Sequence, residues 1–580
     1  MGVIDVEGND ISATEIMAHA LANSVMETNP EDYSIRRGSA FVNEYARTDP
    51  VSGLRNDGGP SNPNHLLGCF PVLFPYGKGG FETERPIDVP YEIHAQWSML
   101  YADKRFRKDF QFPFQVFGVC QKREICRSSV LQMRRSEFNR HMALISTLKP
   151  EDLIKASQEE TRKVRFSNPA VQALRNQLAA IRARVKGTDE SRQHVRSKIW
   201  GTSLIFNPPA LWITINPADM QDPIAQVFAG AEIDLDRFCN TAGPTNSERA
   251  TNVAQDPFSA AKYFHFIVKC ILEILFGIKK NARGRIEREE GIFGEVQSYV
   301  GTVEAQGRGT LHLHMLLWLK DAPTAKQMKV ALKSQIFRDK VIAFIRSSIR
   351  ASLGDLSHEQ VAAIPRSPAV SYSRPVDPRT AEEGEAEESE NKLVRTLQFH
   401  QCSLTTCLLI VKGQVICKRR APFLKSSLDW VNETGGWGPK RLCGFLNNWN
   451  PTIMRTVRAN HDVKLIMGSD GQTATLTYYI THYATKKQQR TSNASALLAK
   501  RLAFIKKEKR KQTDLNKLNK KLIQSCANSL SRDHEFSGPE IISYLMRWLD
   551  VYLSHYYVTI YWDAATAALK KTFPSIEPQR

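Results

Sequence analysis

The chain has 580 residues, with 79 Lys and Arg against 60 Asp and Glu, a formal charge of +19. Its 42% hydrophobic content allows a sizeable core and excludes global disorder, and ten cysteines are too sparse for a disulfide-stapled scaffold, which points to a reducing compartment. The basic excess favours an acidic partner, nucleic acid before an anionic membrane, although a solubilising surface has the same signature. No apolar run approaches the roughly 18 residues of a membrane span, the start lacks the basic region of a signal peptide, and Val6 breaks the myristoylation pattern.

Residues 1–65 lack sustained periodicity and end in a Gly/Pro/Asn-rich stretch, which predicts a flexible leader. Residues 66–200 read as mainly helical, with aromatic and basic residues mixed over 91–145. Leu211 to Ile215 suit a buried strand that Asn216-Pro217 ends. Residues 260–278 form a mostly apolar helix, and 294–320 two strands joined by a turn at Gln306–Gly309. An acidic linker over 376–393, with six Glu in 381–390, is expected to be disordered. Residues 473–490 read as a helix, and 501–580 as a basic helical region. From Lys486 to Lys521 there are 13 Lys or Arg against Glu508 and Asp514; a solvated helix, a nuclear-import signal and a DNA-backbone contact all fit this run.

Three constellations carry chemistry. His312 and His314, one residue apart on a strand, share one face and can hold a divalent cation, with Gln306 or Glu304 as a third, oxygen ligand; two structural histidines would look the same. Tyr479 and Tyr483 are four apart and stack on one helix face, with Lys486 and Lys487 a turn or two further on. A phenol can attack phosphorus when a cation or base favours its phenolate; an aromatic pair packed into the core is the alternative. His400, Cys402, Cys407 and Cys417 form a Cys₃His set suited to structural zinc, or else free buried thiols. The adjacent Lys418, Arg419 and Arg420 would present charge to DNA. No P-loop, zincin, Gly-x-Ser-x-Gly or dinucleotide motif is present in the sequence, so ATP hydrolysis is not supported.

Taken together, the His-x-His strand followed by a Tyr-x-x-x-Tyr-x-x-Lys helix resembles the HUH rolling-circle nucleases, and more specifically the N-terminal region of Helitron transposon proteins. Residues 101–118, 212–223, 308–319, 448–468 and 479–486, with the Cys/His segment, carry the resemblance in the family's order. It implies an α+β fold: an antiparallel, ferredoxin/RRM-like nuclease sheet over 201–500 with His312 and His314 on a central strand, helical additions, and a zinc-knuckle insertion at 400–420. It implies a rolling-circle transposase-type nickase and strand transferase on single-stranded DNA, forming a 5′-phosphotyrosine. His312, His314 and Gln306 would hold Mg2+ or Mn2+, Tyr479 and Tyr483 would be nucleophiles, and Lys486 the lysine of the tyrosine motif. Zinc would sit on His400, Cys402, Cys407 and Cys417. Arg308, Lys418, Arg419, Arg420 and Lys487 would touch DNA. A nuclear location and a separate helicase partner are expected, since the family's helicase motor is not encoded in these residues. An inert transposon-derived DNA-binding protein and an RNA-binding scaffold are the alternatives.

Overall fold

Leu211, Ile213 and Ile215 are fully buried and alternate with half-buried Trp212, Thr214 and Asn216, the two-residue period of a strand with unlike faces. This strand, β1 (Leu211–Asn216), lies inside an antiparallel sheet with β2 (Gly294–Ala305), β3 (Leu311–Leu319), β6 (Asn460–Leu465) and β7 (Val551–Leu553), in the order β6-β1-β3-β2-β7. A short strand, Glu290–Gly291, also pairs with β2. A separate hairpin of β4 (Leu408–Val411) and β5 (Gln414–Cys417) stands apart from the sheet. The computed structural model describes residues 65–573 except 77, 84–85, 134–137, 282–284, 307–308, 412, 468–469, 486–492, 509–514, 549 and 559–561. The expected leader lies almost wholly outside the described residues.

β3 is the central strand, and its side chains from Leu311 to Trp318 are buried on both faces. The expected turn into it is present: Gln306 N donates to the Thr310 carbonyl at 2.8 Å and Gly309 N to the Gln306 carbonyl at 2.7 Å. Gly309 has φ +83°, which a side chain would resist. On the back of the sheet, Leu313, Met315 and Leu317 join Ile213 and Val463 against Phe264 and Val268 of α5 (Pro257–Cys270). That helix continues as one wider turn, Ile271–Leu275, slightly short of the expected end. On the front, Val300, Leu316, Trp318 and Ile466 pack on Val195 and Ile199 of α4 (Asp189–Phe206) and on Ile480 of α7 (Asp470–Ala484). The two front helices cover only part of that face.

The helical mass forms a second core. α1 (Phe112–Met133), α2 (Pro150–Thr161) and α3 (Pro169–Arg182) pack with α8 (Ala494–Glu508) and α9 (Leu515–Arg532) through Ile125, Leu153, Leu174, Leu178, Leu498 and Ile523. The C-terminal region thus folds back on the N-terminal helices. It also supplies β7, a strand inside a stretch expected to be helical.

The acidic segment departs from expectation most clearly. In place of a disordered linker, Glu385–Leu397 is a helix, α6. Glu385, Glu387 and Glu388 sit in its first turn, where the helix dipole favours anions. Its far end buries Leu393 and Val394 beside Leu446 and Trp449. Glu390 is itself buried, accepting from Trp449 Nε1 at 3.0 Å and Arg455 Nε at 2.7 Å, with Arg350 Nη1 at 3.3 Å. Composition flagged the charge, but the apolar residues three and four positions on decide the structure.

Two predictions follow from these buried carboxylates. Glu390→Ala strands the buried Trp449 N–H and should cost about 1–3 kcal/mol in denaturant unfolding. Glu540, in α10 (Gly538–Leu545), is buried with Arg192 Nη2 at 3.3 Å. Burial raises its pKa to about 7 from an ordinary 4.5, against the pull of Arg192. The folded chain therefore keeps a proton that the unfolded chain releases, and stability should fall as pH rises from 4.5 to about 7. Glu540→Gln should flatten that slope in melts across this range.

Candidate metal and nucleic-acid site

The strand register assembles the first cluster. Glu304 on β2 lies directly opposite His312 on β3, while Thr302 and Thr214 flank His314 from either side. All these side chains project from the front face, where His312, His314 and Thr302 are buried. His312 Nε2 and His314 Nε2 are 3.0 Å apart, and Glu304 Oε2 is 3.7 and 3.6 Å from them. The three donor atoms lie within 4.8 Å of one another. His314 Nδ1 is 2.9 Å from Thr214 Oγ1, so the hydroxyl can hold the ring with its Nε2 lone pair aimed into the cluster.

Gln306 stands outside this set. Its amide nitrogen donates to Asn216 Oδ1 at 2.5 Å, and Asn216 Nδ2 in turn donates to Asn460 Oδ1 at 2.9 Å. Of the two oxygen ligands the sequence allowed, Glu304 is the one whose carboxylate reaches the histidines. Burial, and then the neighbouring His314, pull the His312 pKa to about 4, so this imidazole is neutral and able to ligate at physiological pH. Burial would raise the Glu304 carboxyl, but its hydrogen bond to His314 and the charges of His312, His314 and Arg192 together hold it low.

α7 brings the tyrosines. Thr477, Ile480, Thr481 and Ala484 are its buried stripe, at the three- and four-residue spacing of an inward helix face. Tyr478, Tyr479 and Tyr483 remain 55%, 58% and 42% exposed, so the core-packing alternative does not describe them. The helix end is pinned to the sheet by Thr302 Oγ1 donating to the Ala484 carbonyl at 2.9 Å, and to α4 by Arg196 Nε donating to Thr485 Oγ1 at 2.7 Å. Tyr483 meets His314 edge-on at 5.3 Å between ring centres, and Trp212 at 5.6 Å. Tyr479 stacks on Tyr483 at 6.3 Å, whereas Tyr478 turns to His482 and Trp200. The Tyr479–Tyr483 pair is therefore the one on the histidine side. Burial, then the Glu304 charge, raises the Tyr483 pKa; Lys464 and Arg419 act against it. Lys486, Lys487 and Arg308 lie outside the described residues.

The second cluster joins His400, Cys402, Cys407 and Cys417, again with donor atoms within 4.8 Å. From His400 Nε2 the three Sγ atoms are 3.4, 3.5 and 3.2 Å away in chain order. Tetrahedral zinc with bonds of about 2.3 Å to sulfur and 2.0 Å to nitrogen separates those atoms by ~3.5 Å, so the donor set fits the ion. β4 and β5 run between Cys407 and Cys417 and return the chain so that Leu408 pairs with Cys417. Lys418, Arg419 and Arg420 follow, all exposed. Two features escaped the sequence reading. Thr214 and Thr302 have no local motif, and Arg192 reaches the site through a helix more than a hundred residues away in sequence from β3.

Cys407→Ser should remove one equivalent of zinc from purified protein, read by elemental analysis, and should lower the melting temperature.

Residues 94–317 match the family model described as the Helitron helicase-like domain at the N-terminus. The match takes in the N-terminal helices, β1, β2 and most of β3, and it stops before the Cys/His cluster and α7. None of the curated proteins matches the chain. No helix among the described residues is long and apolar enough to cross a membrane. Over residues 94–317, less than half of its length, the chain is thus similar to the Helitron helicase-like N-terminal domain.

Proposed function

We propose that the protein is a metal-dependent tyrosine endonuclease and strand transferase of the HUH rolling-circle type, acting on single-stranded DNA. The observation that carries this reading is the meeting, on one face of the sheet, of the Glu304/His312/His314 donor set with the half-exposed Tyr483, whose ring stands 5.3 Å from His314. A Helitron-like N-terminal region over 94–317 supports it.

His312, His314 and Glu304 would hold the cation, Mg2+ or Mn2+, with Gln306 fixing Asn216 at the rim. When bound, the ion would supply positive charge to the scissile phosphate and offset the Glu304 charge, which adds to burial in raising the Tyr483 pKa. The remaining steps belong to side chains. The Oη of Tyr483 or Tyr479 attacks phosphorus in line and loses its proton to solvent. The bond from phosphorus to the 3′ oxygen breaks, and that oxygen takes up a proton as a free 3′-OH. The product, a 5′-phosphotyrosine, conserves the phosphodiester's energy, so rejoining needs no nucleotide hydrolysis. A second tyrosine on the same helix face allows a second strand to be cut while the first is held. Lys486 would support the phenolate through its charge, with Lys487 and Arg308 as backbone contacts and the nucleus as the site of action.

The test is a denaturant-resistant adduct on end-labelled single-stranded DNA with Mn2+ or Mg2+. The adduct should carry the 5′ end of the cut strand, vanish with chelator, and vanish in Tyr479→Phe/Tyr483→Phe. An adduct that persists in the double variant overturns the assignment. Thr214→Val, which removes the hydroxyl partner of His314, should weaken Mn2+ binding roughly 10–100-fold by calorimetry while leaving the zinc content unchanged.

A further inference from the structure

The hairpin that grows out of the Cys/His cluster has an unusual surface. Its cross-strand pairs are Leu409 with Ile416 and Ile410 with Val415. Directly opposed residues share a face, so one face shows Ile410 and Val415 and the other Leu409, Val411 and Ile416. Ile410 is 77% and Val415 62% exposed, and the other three are between 41% and 44% exposed. None of these five side chains belongs to a hydrophobic cluster of the described residues. A hairpin docked on its own domain buries one face and keeps polar residues on the other. This one is a free blade, aliphatic on both sides. Gly413 stands at its tip with φ +81°, and Cys407 and Cys417 of the Cys/His cluster are at its root.

The surroundings of the blade select its occupant. Lys418, Arg419 and Arg420 stand exposed in sequence at the root, in a chain of net charge +19. That places a polyanion's backbone at the base of an apolar blade. Hydrogen bonds tie the hairpin root to the sheet. Asn460, bonded to Asn216 on β1, donates to the Leu397 carbonyl at 2.5 Å and to Gln398 Oε1 at 3.1 Å, two residues before His400. Gln398 Nε2 also donates to the His461 carbonyl at 2.8 Å. The segment leading into His400 is thus fastened to β6, the edge strand two places from the histidine strand.

We infer that the β4–β5 hairpin is a strand-separating wedge that engages DNA at a junction between duplex and single strand. The wedge function rests on the nuclease reading only for what becomes of the released strand. Apolar side chains inserted at a base step unstack it, and flat base faces pack on such surfaces once unpaired. A blade with two apolar faces meets both parted strands, whereas a protein partner would need to clamp it from both sides. The basic root takes the phosphates of one strand.

The experiment uses forked DNA with 2-aminopurine at the first base pairs, and the full chain with zinc bound. The wild-type protein should raise the fluorescence as pairs open. Ile410→Ser/Val415→Ser, at exposed positions, should keep its zinc and melting temperature and lose the rise about tenfold, in line with the worth of one stacked base. Ile410→Leu/Val415→Ile should retain it. In parallel, the Ser double variant should form adducts normally on a single-stranded pool and poorly on the same pool annealed to its complement. Equal base opening by wild type and the Ser variant overturns the wedge. So does a change in oligomeric state on sizing, which would make the blade a contact with a second copy. A wild type that opens the fork but forms no adduct on single strands leaves the wedge standing and removes the nuclease reading.

Discussion

The arrangement depends on one strand being buried on both faces. β3 carries an aliphatic row backward into the main core and two imidazoles forward into a polar site, and its two neighbours fix what stands beside each imidazole. Antiparallel register puts Glu304 opposite His312 and places Thr302 and Thr214 on either side of His314. A slip of one residue would turn Leu313 and Met315 toward the site and the histidines into the core. The geometry of the donor set is therefore held by the hydrophobic packing on the other face, through Ile213, Val463 and Phe264.

Charge balance in the site follows from that packing. Glu304 is held ionised by its histidine neighbours and by Arg192, which itself reaches Glu540 from the interior. The same carboxylate adds to the burial that raises the Tyr483 pKa, while Lys464 and Arg419 act against it.

Much of this was legible in the residues. The apolar run at 211–215 ended by Asn216-Pro217, the turn at Gln306–Gly309 and the histidine spacing pointed to β1, β2 and β3, and the four-residue spacing put Tyr479 and Tyr483 on one face of α7, whose exposure only the structure shows. The Cys₃His set was readable because metal ligands must be these residue types. Failures came where long-range contacts decide. Glu304 and Gln306 are both near the histidines in sequence, and only the cross-strand register distinguishes them. The acidic segment reads as solvated until Trp449 and Arg455, some sixty residues on, give Glu390 its partners. β7 has only three residues and pairs with a strand about 250 positions earlier, a separation at which local pattern carries little information.

That last pairing bears on the order of folding. β2 is flanked by β3, adjacent in sequence, and by β7, which arrives after residue 550. The helices that complete the second core, α8 and α9, also come late, and they pack on helices made before residue 183. During synthesis the N-terminal helices and the β2–β3 hairpin leave the ribosome with their partners still missing. An unpaired edge and an unfilled helical groove then stay exposed until residues 494–553 are available. Loss of residues 494–553 would therefore injure the earlier-made helices and strand as much as the later ones.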